Sequence, residues 1–367
     1  MPEFRSTNEE EQPMQAKANT TIRAQHASFY AAATTAITTI ASVASLMLGS
    51  LISTPAQAQQ TMKIGLATVN DVQHELAKLF AAQMEKTAPG KLKIQIYPSE
   101  QLGSIPRMVE GMGMGTVEAW VGPPEFMVGI EPRMQVFGAP GLVHDMEHGY
   151  RLTQDERFRQ AAFSWAEAKG IKGLGLVVYG PNGYTSKKAL RTLADWKGQK
   201  LRVFGSPMHT VAMEKLGATG VPMNPADALQ AISSGAIDGN RTALNVSVSF
   251  KYFDVVKNHT MIDGEALIYS MFAVSKGWYD KLPADVQKQV AAAVVAVARD
   301  AYNFAVEGQK RSEATWAKNG ELIRVNAADQ ADFVRRMQTV GPEVVAKNPR
   351  IKDAYELMVE RANATRK

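Results

Sequence analysis

The stretch that decides the fold is Tyr184–Met223, which reads YTSKKALRTLADWKGQKLRVFGSPMHTVAMEKLGATGVPM. Within it, Lys200–Phe204 alternates polar and apolar side chains and predicts a short strand. A Gly-Ser-Pro turn follows, and the residues after it predict a helix over Met208–Leu216. A strand that leads through a turn into a helix is typical of α/β domains.

Arg202 is the first candidate binding residue, because it lies in the predicted strand beside the loop that opens the helix. Helix N-termini favour anions. The planar guanidinium of arginine also matches a carboxylate with two parallel hydrogen bonds. From spacing alone two interpretations stay open: Arg202 binds an anionic ligand, or it is a surface residue that pairs with Asp195 or stays solvated.

The composition limits the classes of function. A chain of 367 residues is long enough for two lobes and a leader. Its net charge of +5 is mild and forms no basic stripe, which argues against nucleic acid. The sequence contains no cysteine, so disulfides, thiolate nucleophiles and cysteine metal sites are excluded. The glycines between Gly111 and Gly115 precede a predicted strand, unlike a nucleotide-binding loop, and we expect no cofactor.

Residues 1–58 predict a cleavable secretory signal. Lys17 and Arg23 form a positive region, Phe29–Ile52 is apolar, and Ala56-Gln57-Ala58 gives an A-x-A cleavage site. The alternative is a membrane anchor, since the apolar run is somewhat long. Cleavage after Ala58 is favoured because threonines and serines dilute the run. We expect the mature protein to be exported to the periplasm.

The chain after the leader alternates strands and helices. Met62–Ala67 and Leu92–Tyr97 predict strands on either side of a helix over Glu75–Lys86, which makes a βαβ unit with a parallel sheet. Further strands are predicted over Met134–Phe137 and Lys172–Tyr179.

The second part of the chain continues this pattern. Leu244–Phe253 predicts a helix, and Ala266–Ser275 predicts an apolar strand that joins the sheet antiparallel to its neighbours. Apolar residues at helical spacing predict one long helix over Val286–Lys318, broken only at Gly308.

His144, Glu147 and His148 lie close together in sequence. They would form a metal site only with a further ligand in fixed geometry. The favoured interpretation is that they cap and flank a helix that begins near Met146, so we predict no metal.

Five short motifs, in one order, resemble those of solute-binding proteins of the tripartite ATP-independent periplasmic (TRAP) transporters, the DctP type. The resemblance covers Lys63 to about Asn319. Its motifs are Glu100-Gln101-Leu102-Gly103, Asp195-Trp196-Lys197-Gly198-Gln199-Lys200-Leu201-Arg202-Val203, Leu216-Gly217-Ala218, Val221-Pro222-Met223, and Ala228-Leu229-Gln230 with Gly235-Ala236-Ile237-Asp238-Gly239.

This resemblance implies a two-lobed periplasmic-binding-protein clamp of the α/β class. Each lobe would be a mixed, mostly parallel sheet flanked by helices, and a long helix would lie across both lobes. We assign residues 59–180 plus 266–306 to lobe I and residues 181–265 plus 307–367 to lobe II. The ligand cleft lies between the lobes, and the chain crossings form the hinge.

The resemblance also implies a function. Proteins of this type capture an organic acid in the periplasm and deliver it to TRAP-type membrane permease subunits, and an arginine at the place of Arg202 holds the carboxylate. We expect a monomer that is not an enzyme. Two alternatives stay open: a periplasmic enzyme that acts on an organic acid, or a sensory module for a receptor. The sequence has no G-x-S-x-G or H-E-x-x-H motif to support the enzyme.

The sequence departs from the sialic-acid binders that it resembles. The place of their second arginine holds Asn182, and that of their glutamate after the third strand holds Pro123. Their asparagine after the Asp-Gly pair is replaced by Thr242, and Arg241 precedes it. Arg241 either supplies a second cation or pairs with Asp238 on the surface of its lobe.

Other candidate residues would line the cleft or donate hydrogen bonds to the ligand. Tyr184, Phe204, Met208 and Trp120 offer apolar area, or each belongs to a core. The remaining candidates are polar: Asn70, Gln73 and His74 in the predicted exit loop of the first strand, Asn245, and His209 near a helix start.

Overall fold

The structure, a computed structural model, describes residues 59–367. The predicted signal and its cleavage motif in residues 1–58 lie outside this part. Within it the strands are β1 (Gln60–Gly65), β2 (Leu92–Tyr97), β3 (Ala119–Gly122), β4 (Ile171–Ser186), β5 (Lys200–Val203), β6 (Thr219–Pro222), β7 (Gly239–Ala243), β8 (Asn258–Met261), β9 (Leu267–Ser275) and β10 (Glu321–Arg324).

Helices flank these strands, with short 3-10 turns between them. The α-helices of residues 59–367 are α1 (Val72–Thr87), α2 (Ile105–Met114), α3 (Met146–Gln154), α4 (Glu156–Ser164), α5 (Pro207–Lys215), α6 (Pro225–Ser234), α7 (Leu244–Ser249), α8 (Lys276–Tyr279), α9 (Ala284–Ala296), α10 (Ala298–Asn319), α11 (Ala327–Gln338), α12 (Val340–Lys347) and α13 (Lys352–Thr365). None of these helices combines the length and the apolar character needed to cross a membrane.

The strands form a mixed sheet in the order β2-β1-β3-β9-β4-β7-β5-β6, with β8 paired to β4 and β10 paired to β8. The pairs of β1 with β2 and β3, of β5 with β6 and β7, and of β8 with β10 are parallel. β9 is antiparallel to both β3 and β4, as predicted. The α/β class with a mostly parallel, helix-flanked sheet is thus confirmed.

β4 is a long strand whose two parts pair with different neighbours. Its residues Ile171–Pro181 pair with β9, and Asn182–Ser186 pair with β7 on one side and β8 on the other. The predicted strand ended at Tyr179, but the chain stays extended because the later residues also find strand partners on both sides. We call β1, β2, β3, β9 and the first part of β4 the first half, and the second part of β4 with β5–β8 and β10 the second half.

The long helix is present, but its predicted break is wrong. The chain forms α9 and α10, which meet at Val297, and Gly308 lies inside α10. The surroundings of Gly308 do not force a break in the helix. A Cβ added to Gly308 would lie 3.6 Å from Asn245, which is an ordinary contact distance. α10 has 22 residues, so it is about 33 Å long. It packs against α1 of the first half and against β10 of the second.

Two other local predictions are corrected. Met134–Phe137 is not a strand but part of a 3-10 helix, Pro132–Gly138, which the Glu131 side chain caps by accepting from the Arg133 N–H. The helix predicted over Leu244–Phe253 ends at Ser249, because Lys251 adopts a left-handed backbone with φ 53°.

The histidines near α3 serve the structure of the chain. The His148 Nε2–H donates to the Ala362 carbonyl at 2.7 Å, and its Nδ1 accepts from the His144 N–H at 3.2 Å. Both ring nitrogens of His148 are therefore used by backbone. Across residues 59–367 no three acidic or histidine side chains are placed to hold a metal ion.

Candidate functional site

The strand directions bring two sets of carboxyl ends face to face. β4 runs from the first half into the second, and β3 and β1 share its direction through β9. β7 runs antiparallel to β4, and β5 is parallel to β7. The carboxyl ends of β1 and β3 thus point towards the second half, while those of β5 and β7 point towards the first. Ligands of open α/β sheets bind at carboxyl ends.

A cavity lies at this junction. Both halves contribute to it. Its lining from the first half includes Thr68, Gln73, Trp120, Pro123, Phe126 and Tyr179. Its lining from the second half includes Arg202, Phe204, Pro225, Thr242 and Val246.

Arg202 is the charged residue of this lining. The alternation of β5 places Leu201 and Val203 in the core of the second half and turns Arg202 to the other face. Its side chain is fully buried, and its Nε–H donates to the Met223 carbonyl at 2.8 Å. The guanidinium carbon lies 4.7 Å from the centre of the Phe204 ring. These contacts fix the direction of the guanidinium without neutralising its charge.

The two terminal nitrogens of Arg202 have no hydrogen-bond partner in the described part of the chain. The expected surface pairing with Asp195 is wrong, since Asp195 binds Lys188 and the N–H groups of Arg191 and Thr192. Burial lowers the pKa of Arg202 to about 10, so the group is still a cation at neutral pH. A buried cation without a partner is costly, so an anion would be favoured beside the Arg202 guanidinium.

Neutral polar atoms lie around the same cavity without partners. Thr68 Oγ1, Gln73 Oε1, Trp120 Nε1 and Thr242 Oγ1 are buried and make no hydrogen bond within residues 59–367. Buried polar groups are normally paired. Three oxygens and one indole N–H are therefore available to a ligand beside Arg202.

Gly122 explains how Trp120 reaches the cavity although it lies in β3. A Cβ at Gly122 would stand 2.1 Å from the Trp120 ring, so only glycine leaves room for the indole to fold across the strand end. Trp120 pairs with Ala273 of β9 through its backbone while its side chain lines the cavity. Trp120 also packs in an apolar core with Ile105 and Met108, so the alternative interpretation as a core residue holds as well.

Of the residues singled out from the sequence, Arg202, Phe204, Thr242 and Pro123 line the cavity, together with Gln73 and Trp120. Gln73 belongs to α1 and not to a loop, because Asp71 caps this helix one turn earlier than predicted.

Asn182, Tyr184 and Met208 do not line this cavity. The Asn182 amide donates to the Ala266 carbonyl at 2.9 Å and faces a separate cavity beside His259. Tyr184 packs edge-on against Trp196 in the core of the second half, where Met208 is also buried.

Asn245, Asn70 and His74 also lie away from the lining. Asn245 is buried beside Gly308 of α10. Asn70 is exposed with φ 58°, and its N–H donates to His74 Nδ1 at 3.1 Å. This bond joins the first turn of α1 to the loop before it, so it fixes local structure.

Arg241 is committed to another charge. Its Nη2 lies 2.5 Å from Glu265 Oε1 and its Nε donates to Oε2 at 3.2 Å, with both side chains fully buried. The Tyr184 hydroxyl donates to the same carboxylate. Burial disfavours the charged guanidinium, but Glu265 outweighs this and raises the pKa of Arg241. The predicted surface pairing with Asp238 is wrong; Asp238 instead accepts from the Lys200 N–H.

His209 links this pair to the first half. It is fully buried and not solvated; its Nδ1 accepts from the Arg241 guanidinium, and its Nε2 lies 3.7 Å from Glu125 Oε1. Burial, with Arg241 and Arg202 nearby, holds the pKa of His209 well below its usual value. Burial raises the pKa of Glu125 to about 8, so this carboxyl is largely neutral at pH 7.

Glu125 makes stability depend on pH in a predictable direction. Between its ordinary pKa of 4.5 and the folded value of about 8, the carboxyl is ionised when unfolded and protonated when folded. The contribution of the Glu125 carboxyl to the free energy of unfolding is thus fully present below pH 4.5, and it is lost as pH rises towards 8. We expect Glu125→Gln to become progressively more stable than wild type between pH 5 and 8, by on the order of a few kcal/mol.

Urea unfolding of wild type and Glu125→Gln at pH 5, 6.5 and 8 measures this difference. Glu85→Gln, at an exposed glutamate of α1, is the matched control and should follow wild type. If the free energy of unfolding changes with pH in the same way for wild type and Glu125→Gln, Glu125 is not protonated in the folded protein.

Sequence reasoning missed several lining residues: Thr68, Phe126, Tyr179, Pro225 and Val246. Thr68 follows β1, and Pro225 comes shortly after β6. The rule that ligands bind beyond the carboxyl ends of strands pointed to these two. Nothing in the sequence brings Phe126, in a 3-10 turn, against Phe204, where the two rings lie 5.0 Å apart.

The comparison with known families agrees with this geometry. The profile of the family "Bacterial extracellular solute-binding protein, family 7", named DctP, matches residues 65–348. The chain belongs to this family of TRAP-type solute-binding proteins.

Individual family members show the extent of the similarity. The chain is 29% identical over 298 residues to the 2,3-diketo-L-gulonate-binding periplasmic protein YiaO of Escherichia coli, which covers 80% of this chain and 83% of that one. It is 30% identical over 238 residues to a solute-binding protein of Verminephrobacter eiseniae, with 64% of this chain and 70% of the relative covered.

Solved structures give the same fold. A TRAP periplasmic solute-binding protein of Desulfovibrio salexigens, crystallised with orotic acid, superposes with a TM-score of 0.79 at 22% identity. The superposition covers 83% of this chain and 99% of that one. The resemblance inferred from the five sequence motifs is thereby confirmed, and the chain is a solute-binding component of the TRAP type.

Proposed function

We propose that this protein captures an organic acid between its two halves and hands it to TRAP-type membrane permease subunits. The observation that carries the proposal is the fully buried guanidinium of Arg202, held by the Met223 carbonyl and facing the cavity with two unpaired nitrogens. A carboxylate would accept one hydrogen bond from each nitrogen and neutralise the charge. The named Escherichia coli relative binds a sugar-derived acid, and the Desulfovibrio structure holds orotic acid.

The two halves correspond in this proposal to the two lobes. In this proposal lobe I comprises residues 59–180 plus 266–306, and lobe II comprises residues 181–265 plus 307–351. The sequence placed residues 352–367 in lobe II as well, but α13 packs on α3 and α4, in the same apolar core as Ile171 of the first half. The cavity takes its lining from both, so the ligand bridges the lobes and favours their closed arrangement. Closing the cleft removes water from Arg202, which strengthens the bond to a carboxylate.

We further propose that residues 1–58 direct export to the periplasm and are removed after Ala58. This position agrees with the extracellular location in the description of the family. Mass spectrometry of the protein recovered from the periplasm should find a chain that begins at Gln59. A chain that keeps its first residues and sediments with membranes would favour the anchor.

The role as a binding component is tested by binding without turnover. The full chain should unfold at higher temperature in the presence of its organic acid. A ligand at about 100 times its dissociation constant adds roughly 2.7 kcal/mol. The acid should then be recovered unchanged after prolonged incubation, as checked by NMR. Chemical conversion of the bound acid would show an enzyme instead, and the lack of any stabilisation by organic acids would refute the proposed ligand class.

A further inference from the structure

The charges at the cavity limit how many carboxylates a ligand can carry. Within residues 59–367, Arg202 is the one charged residue that lines the cavity. The other buried arginine nearby, Arg241, is held by both oxygens of Glu265 and by His209. Its charge is already neutralised by Glu265 and it is not among the residues that line the cavity, so a second carboxylate would enter the cavity without a free cation to neutralise it.

The neighbouring chamber is no better for a second anion. It shares Ala67 and Thr68 with the cavity, and its lining also includes Glu100. Glu100 accepts from the Asn224 amide at 3.0 Å and has no cation paired with it among the described residues. A ligand that extends outward from Arg202 therefore approaches a negative charge.

The walls of the cavity are mostly apolar. Beside Arg202, the neutral polar side chains are Thr68, Gln73 and Thr242, with the indole N–H of Trp120. The rest of the wall is aromatic, aliphatic or proline, and it includes Phe126, Phe204, Val246, Ile268, Pro123 and Pro225. A sugar acid carries hydroxyls on most carbons, and several of them would be buried against this wall without partners.

We propose that the ligand is a monoanion: a compact monocarboxylic acid with an apolar or aromatic body and few hydroxyls. This inference rests on the proposed function and narrows it. The carboxylate lies on Arg202, the body packs between Trp120, Phe126 and Phe204, and Thr68, Gln73 and Thr242 accept or donate to at most a few polar substituents. Aromatic walls of this kind provide much contact area in fixed orientations.

Calorimetric titration of the full chain with a matched panel tests the proposal. The panel is benzoate and 3-methylbutanoate as apolar monocarboxylates, succinate as a dicarboxylate, D-galacturonate as a sugar acid, and benzamide as a neutral counterpart. We expect at least one apolar monocarboxylate to bind at least about tenfold more tightly than succinate and galacturonate, a difference of about 1.4 kcal/mol. Benzamide should bind at least as weakly as those two.

The outcomes separate this inference from the proposed function. If succinate or galacturonate binds most tightly, and Arg202→Met abolishes that binding, the protein is an organic-acid binder and the monoanion proposal is wrong. If none of the acids binds, both are wrong. If benzamide binds as well as benzoate, the carboxylate is not what the cavity recognises.

A nearly isosteric substitution tests the role of the apolar wall. Val246→Thr places a hydroxyl at the wall with little change of volume, so we expect the affinity for the best apolar monocarboxylate to fall several-fold. Val248→Thr, in the same helix but away from the cavity, should leave it unchanged. Equal affinities for wild type and Val246→Thr would show that the body of the ligand does not pack on this wall.

Discussion

Replacing Arg202 with methionine should abolish binding of the organic acid and at the same time make the ligand-free protein more stable. Binding should weaken at least about 100-fold, since two charge-assisted hydrogen bonds are lost and 2.7 kcal/mol corresponds to that factor. The free energy of unfolding without ligand should rise by about 1–3 kcal/mol, because a buried, unpaired cation gives way to an uncharged apolar side chain.

Two further variants make this result specific. Arg202→Lys keeps the charge but loses the planar pair of donors, so its affinity should fall between those of wild type and Arg202→Met. Arg191→Met removes an exposed arginine that pairs with Glu321 on the surface, and it should change neither binding nor stability appreciably. If Arg202→Met is destabilising in the absence of ligand, Arg202 contributes to the fold and its assignment to the ligand is wrong.

For the second buried arginine, Arg241, we expect that removing its charged partner destabilises the protein. Glu265→Leu should destabilise the protein by about 3–5 kcal/mol, because it leaves the Arg241 guanidinium buried without its carboxylate. The double variant Arg241→Met/Glu265→Leu should recover most of this loss, since an apolar pair replaces the ion pair without an unpaired charge. Urea unfolding of the two single variants and the double variant measures the coupling.

The surface offers a matched control for this experiment. Arg336 and Asp332 form an ion pair at 2.7 Å on the exposed side of α11, and Asp332→Leu there should have little effect. If Glu265→Leu is as mild as this control, Arg241 is not dependent on Glu265, and a second ligand carboxylate could bind it.

Local patterns predicted the part of the site that depends on one strand and its motif. The motif around Arg202 singled out Arg202 and Phe204, and both line the cavity; that Arg202 is buried and not solvated came only from the structure. The helix break at Val297 was missed because Gly308 is the weaker helix former of the two. In the fold, Gly308 lies inside α10 as part of the helix that reaches both halves.

Residues brought together by the fold were harder to predict. Two interpretations stayed open for Arg241, a second cation for the ligand or a pair with Asp238, but its partner is Glu265, which lies 24 residues away, just before β9. β7 is flanked by β4 and β5, so its side chains are buried, and a buried charge takes whichever opposite charge the fold provides. Tyr184 shows the same effect: it looked available to a ligand but serves Glu265.

We expect the carboxylate of the ligand to bind the Arg202 guanidinium inside the cavity between the two halves. A crystal structure of the full-length protein with the tightest-binding acid of the panel tests it most directly. We predict that the two carboxylate oxygens lie at about 2.7–2.9 Å from the two terminal nitrogens of Arg202. A carboxylate bound elsewhere, with the Arg202 terminal nitrogens still without an acidic partner, would contradict the account.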